Sequence, residues 1–241
     1  MEVNCVWEHN GEDTLLYCVE QVGAYTRGES LEKAAEKLLA ELAAYAAWRG
    51  ETAPESVRLR IVQEKCSELC IADADSDVIF DGERLPLTPA EYRQLKELAL
   101  RSARDFQTLY DSVPDKDVSV LPQRTTFYGA APRTAREMYM HTKNVNAYYF
   151  AEIGVAADNE GDIAECRARG FALLERQPDF LTRPALEGSY GELWSLRKVL
   201  RRFIWHDRIH ARAMCRMTRK TFGPGAVSDP FHFDKQQTGC R

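Results

Sequence analysis

Four times after residue 86 the chain spells out the start of a helix, and this grammar limits the fold more than any other feature. Thr88-Pro89-Ala90-Glu91 sets a hydroxyl before a proline, with a glutamate three residues beyond the hydroxyl. The hydroxyl and the carboxylate then satisfy each other's orphan backbone donors, and the proline sits where its missing N–H costs nothing. The same spacing recurs at Thr134/Glu137 and Ser189/Glu192, and with an aspartate as cap at Asp162/Glu165. Each start precedes apolar residues spaced by three and four, which predicts helices over about 89–112, 135–153, 163–176 and 190–222. The last stops at Phe222-Gly223-Pro224-Gly225. Four capped helices joined by loops predict an all-α, up-and-down four-helix bundle over 86–225, with 226–241 as a C-terminal tail.

The residues before Pro86 follow different periods. Val3, Cys5 and Trp7 alternate with their neighbours, Asn10-Gly11 signals a turn, and Thr14–Val19 reads as a second strand, so a β-hairpin is expected. From Ser30 the spacing changes to that of a helix. Leu31, Ala34, Ala35, Leu38, Leu39, Leu42 and Tyr45 form an apolar stripe that ends near Trp48 and is stopped by Gly50. Val57, Leu59 and Ile61 alternate with Arg58 and Arg60 as a further strand, and another is expected at either Leu69-Cys70-Ile71 or Val78-Ile79-Phe80. Together these predict a small α+β domain over 1–85, with the boundary near Leu85–Leu87 and no strands beyond it.

Composition adds exclusions. In 241 residues Gly and Pro number 14 and 10, an ordinary globular usage, and the formal net charge of −5 argues against a nucleic-acid partner. No apolar run approaches the roughly 20 residues that span a bilayer. The opening Met1-Glu2-Val3-Asn4 lacks a basic-then-apolar pattern, so the expectation is a cytoplasmic protein with no membrane contact. The seven cysteines include no Cys-x-x-Cys pair and read as reduced thiols, mostly small buried hydrophobes. Cys66 and Cys70 on one strand would lie about 13 Å apart, too far to bridge.

The five histidines divide unevenly. His206 and His210 are one helical turn apart, a spacing that lets two imidazoles chelate one ion. Stepping along the last stripe from Phe203 reaches His206, His210 and then Met214, so both histidines are expected to face inward. The stripe Met138, His141, Val145, Tyr148 or Tyr149, and Ala151 or Glu152 places a third histidine inward on another helix. Three imidazoles without a shared partner would each carry a desolvation cost, and three nitrogen ligands leave a coordination position open. His9 and His232 fall outside the pattern and are expected to be solvated.

The span Ala135–Glu152, with Trp205-His206-x-x-x-His210, resembles the DinB/YfiT-like superfamily over roughly residues 88–222. The resemblance implies a four-helix bundle whose metal is held by one histidine of the second helix and two of the last, here His141, His206 and His210. It implies a metal-dependent S-transferase, isomerase or hydrolase that uses a low-molecular-weight thiol or water against a small electrophilic molecule. Gly23–Ala34 and the following helix are similar to the HicB-like antitoxin fold, without the DNA-binding tail.

The expected cofactor is a divalent ion, zinc or nickel first, although iron and manganese also accept imidazole. Asn144, Tyr148 and Asp207 are candidates to orient ligands or substrate, and Arg201, Arg202, Arg208 and Arg212 to grip carboxylates of a thiol cosubstrate. A homodimer is expected, with Trp194 and Trp205 as aromatic anchors. The alternative is a non-enzymatic, antitoxin-like regulatory binding module whose metal site is structural or vestigial.

Overall fold

The structure is a computed structural model that describes residues 1–126 and 129–233. The chain forms two compact units, one of Met1–Arg84 with the described residues from Phe231 on, the other of Leu85–Pro230.

The first unit is built on strands β1 (Glu2–His9), β2 (Thr14–Cys18), β3 (Tyr25–Gly28) and β4 (Arg58–Cys66), ordered β3-β2-β1-β4. β1 pairs antiparallel with β2, with Cys5 opposite Cys18 and Trp7 opposite Leu16, and β2 pairs antiparallel with β3. β4 runs parallel to β1. The expected hairpin turns at Asn10-Gly11: Gly11 takes a φ of 89°, and Asn10 Oδ1 accepts from the backbone N–H groups of Glu12 and Asp13.

The single helix expected from Leu31 to Trp48 is two, α1 (Leu31–Ala35) and α2 (Leu38–Arg49). The backbone tightens between them, where Lys37 N donates to Ala34 O, three residues back. Leu39, inward in a continuous stripe, is consequently exposed. α2 ends as expected on Gly50 in the left-handed conformation.

Neither of the alternative strands before Leu85 forms. Ile71–Asp73 is a short 3-10 turn, and side chains occupy the backbone of Val78–Phe80 in place of a ladder. Glu8 Oε1 accepts from Val78 N, Gln63 Nε2 donates to Ile79 O, and Glu83 Oε2 accepts from Phe80 N. Of the segment set apart as a tail, Phe231 is buried with its ring 5.4 Å from Trp48, and Phe233 stacks on it. Residues 234–241 of that segment, with Cys240, lie outside the described residues.

The second unit holds α3 (Pro89–Ser112), α4 (Ala135–Ala151), α5 (Ile163–Leu174) and α6 (Leu196–Phe222). Thr88/Glu91, Thr134/Glu137 and Asp162/Glu165 form the expected reciprocal caps. Ser189/Glu192 does not. Tyr190 and Gly191 take φ values of 60° and 72°, which no helix accommodates. Glu192 pairs instead with Lys198 at 2.8 Å. The cap of α6 is Ser195, whose hydroxyl accepts from Lys198 N. Strands also persist beyond Leu85, as two-residue antiparallel ladders β5 (Thr125–Thr126) with β6 (Gly129–Ala130) and β7 (Leu186–Glu187) with β8 (Leu193–Trp194).

The main packing pairs are α3–α6, α4–α6, α3–α5 and α4–α5. A simple up-and-down order would instead pack each helix on its successor. Here the short connection 152–162 joins neighbours, and the long ones, 113–134 and 175–195, join helices that do not pack closely. Phe150, Phe171 and Phe203 meet where α4, α5 and α6 converge, with ring separations of 5.2–6.1 Å. Trp194 and Trp205 are buried in this unit, which removes them as anchors for a dimer. Among the described residues no helix is long and apolar enough to cross a membrane.

Candidate metal centre

The reciprocal cap at Thr134 fixes the start of α4, and His141 follows two turns later. The Ser195 cap starts α6, whose buried face carries Val199, Phe203, His206 and Met214 in succession. Packing of α4 on α6 brings the three histidines together. Ring centroids lie 5.1 Å apart for His141–His206, 4.6 Å for His141–His210 and 4.4 Å for His206–His210. One ligand nitrogen from each falls within 4.8 Å of the other two.

The three environments differ. His206 is buried, His210 half-buried and His141 exposed, so the cluster runs from the protein interior to solvent. This corrects the expectation of three inward histidines. The buried face of α4 passes through Met138, Tyr139, Thr142, Asn146, Tyr149 and Phe150, which leaves His141 on its margin. Burial lowers the pKa of all three rings. His206 is held well below the ordinary value by burial and then by His210 and His141, and His210 is pushed down to about 3. Neutral rings with available lone pairs are the form a metal binds. His206 Nδ1 is buried and has no hydrogen-bond partner among the described residues. An orphaned imidazole nitrogen inside a protein costs free energy unless something binds it, and a metal ion fits the donor set.

The neighbours of the cluster take roles other than those expected. Asp207 follows His206 but turns into the core, where Arg167 of α5 and Ser102 of α3 both donate to Oδ2 and Arg167 Nη2 donates to Oδ1 at 3.0 Å. Arg167 also donates to Ala99 O and stacks over Phe203. Asn144 is exposed, with its carbonyl accepting from Asn159 Nδ2, and Tyr148 packs against Trp194 at 5.9 Å. Tyr149 lies edge-on to His206, 6.0 Å between rings. Arg201 and Arg208 are buried rather than presented to a cosubstrate, and Arg202 spreads over Tyr149, Trp194 and Trp205. His9 is not simply solvated. Its ring stacks 4.1 Å from Trp7, and its Nε2 lies 3.0 Å from Glu64.

Arg167 is the residue that sequence reasoning passed over. Its signal was present: on α5 the buried residues are Ile163, Cys166, Arg167, Gly170, Phe171 and Leu174, so a guanidinium interrupts an apolar face as the histidines do on α6. Set against family models, curated proteins and solved structures, the chain matches none of them.

Proposed function

We propose that this chain is a metal-dependent enzyme of the DinB/YfiT-like kind, with His141, His206 and His210 holding a divalent ion, zinc or nickel, inside a bundle of α3, α4, α5 and α6. On this reading the bundle is one with long crossovers, carried by 113–134 and 175–195, and the N-terminal unit is a HicB-like scaffold. The observation that carries the proposal is the convergence of three neutral imidazoles on one point, with His206 Nδ1 buried and unpartnered.

A tetrahedral site with ligands at about 2.0–2.1 Å separates its nitrogens by about 3.3 Å. The 4.8 Å limit here leaves about 1.5 Å for side-chain rotation to close. His206 and His210 are preset by one helix, and Tyr149 packs against the His206 ring. His141, at the solvent end, keeps an approach for a small molecule. When bound, a divalent ion supplies Lewis acidity and lowers the pKa of a thiol or water in its open position. The reaction class is thiol transfer to a small electrophile, or its hydrolysis.

The test is the metal content of the purified protein against that of a His206→Ala, His210→Ala double variant. Stoichiometric zinc or nickel in the wild type, lost in the variant, is expected. Equal and negligible metal in both refutes the proposal.

A further inference from the structure

The antiparallel register of β1 and β2 places Cys5 directly opposite Cys18. Opposed pairs in such a ladder alternate between those that exchange backbone hydrogen bonds and those that do not. Val19 N donates to Asn4 O and Asn10 N to Asp13 O, and both of these pairs continue the register of Cys5 and Cys18. Cys5 is an odd number of residues from Asn4 and from Asn10, so it faces Cys18 at a position without backbone bonds between the two. Cys18 N agrees, donating away from β1 to Ala24 O. At such positions the Cα atoms are about 4.5 Å apart and the side chains are at their closest. A disulfide accepts Cα separations of about 4.4–6.8 Å, so this backbone already suits one.

Both side chains are buried free thiols. They are in contact: a hydrogen bond with Cys5 holds the Cys18 thiol well above its ordinary pKa, and burial and the carboxylates of Glu41 and Glu20 push it the same way. The thiolate is the form that attacks a disulfide. The closed sheet therefore protects the pair, and reaction waits on local opening of the β1–β2 hairpin. The other described cysteines are placed differently. Cys66 and Cys70 are exposed, with Cys70 Sγ 3.5 Å from Asp73 Oδ2, and Cys166 and Cys215 are buried on α5 and α6.

We propose that Cys5 and Cys18 are an oxidation site, closing to a cross-strand disulfide that staples β1 to β2. The oxidant is a low-molecular-weight disulfide. One cysteine attacks it as the thiolate, forming a mixed disulfide and releasing one small thiol. The other cysteine then attacks the protein sulfur of the mixed disulfide and releases the second small thiol. Two S–H bonds of the protein break and one S–S bond forms, while two electrons and two protons leave on the two small thiols. The bond removes freedom from the unfolded chain and so stabilises the sheet. It is independent of the metal centre and stands whether or not the histidines bind an ion.

The test incubates the folded full chain with oxidised glutathione, in urea below the unfolding transition, and then blocks free thiols with N-ethylmaleimide. Cleavage after glutamate separates residues 3–8, with Cys5, from residues 13–20, with Cys18. Mass spectrometry is expected to find these two peptides joined and unlabelled, and separate once a reductant is added. One calorimetric transition of the oxidised protein is expected to lie at least about 5 °C above that of the reduced protein, with no such gain in Cys18→Ala. Wild type compared with itself, oxidised and reduced, carries the result if that variant misfolds. Cys5 and Cys18 left labelled or glutathionylated, Cys5 joined to a different cysteine, or a joined protein with an unchanged Tm overturns the proposal.

Discussion

Replacing Arg167 with methionine is the sharpest perturbation of the second unit. Arg167 and Asp207 are both fully buried and bonded through two guanidinium nitrogens, with Ser102 completing the carboxylate. Removing one partner of a buried pair leaves an uncompensated charge, at a cost of about 3–5 kcal/mol. Against a typical total stability of about 5–15 kcal/mol, that is a large fraction. With a urea slope of roughly 1–3 kcal/mol per molar, the midpoint followed by helical ellipticity should fall by at least about 1 M. The loss depends on pH. Burial already holds the Asp207 carboxyl above its usual range with Arg167 present, and removing the guanidinium raises it further. The penalty is therefore full where Asp207 is ionised and shrinks as the pH falls and it takes up a proton. The double variant Arg167→Met, Asp207→Leu buries no charge and should recover most of the stability. A single variant within about 1 kcal/mol of wild type, or a double variant as unstable as the single, would refute the reasoning.

Three further outcomes follow from the same packing. Ser195→Ala should cost about 1 kcal/mol by removing the cap of α6, while Ser189→Ala should change stability by less than about 0.5 kcal/mol; equal effects would restore Ser189 as the cap. Gly170→Ala brings a Cβ within 2.1 Å of the buried Phe150 ring, and its overpacking cost of about 1–3 kcal/mol should outweigh the helix-propensity gain of about 1 kcal/mol, so a raised Tm would contradict it. In metal-free protein the unfolded chain protonates its histidines near pH 6.5, whereas folded His210 resists to about 3. The unfolded state thus binds more protons in that window, and stability to urea should fall as the pH drops from about 6.5 toward 3, with a shallower slope in His210→Ala, where the lowered His206 and His141 still contribute.

Much of this unit was legible because caps and periods are local. Thr88 and Glu91 announced a helix over 89–112 that the structure reproduces, because both caps and the stripe lie on one continuous segment. Ser189 and Glu192 have the same spacing, but the left-handed Tyr190-Gly191 pair between them is set by the β7–β8 ladder, which spacing alone does not reveal. Val78–Phe80 has strand composition, yet Glu8 and Gln63, distant in sequence, take its backbone groups. At the candidate site the one-turn spacing of His206 and His210 was readable. The exposure of His141 was not, because it depends on how α4 is rolled against α6. The pairing of Asp207 with Arg167 spans 40 residues and two helices, so nothing near Asp207 announced that it belongs to the core.

X-ray absorption at the metal edge of the purified, loaded protein asks most directly whether the three histidines form one centre. Three imidazole nitrogens at about 2.0–2.1 Å, reduced in number by His141→Ala, are expected. A bound ion whose ligand set is unchanged in His141→Ala and His206→Ala would contradict the central claim.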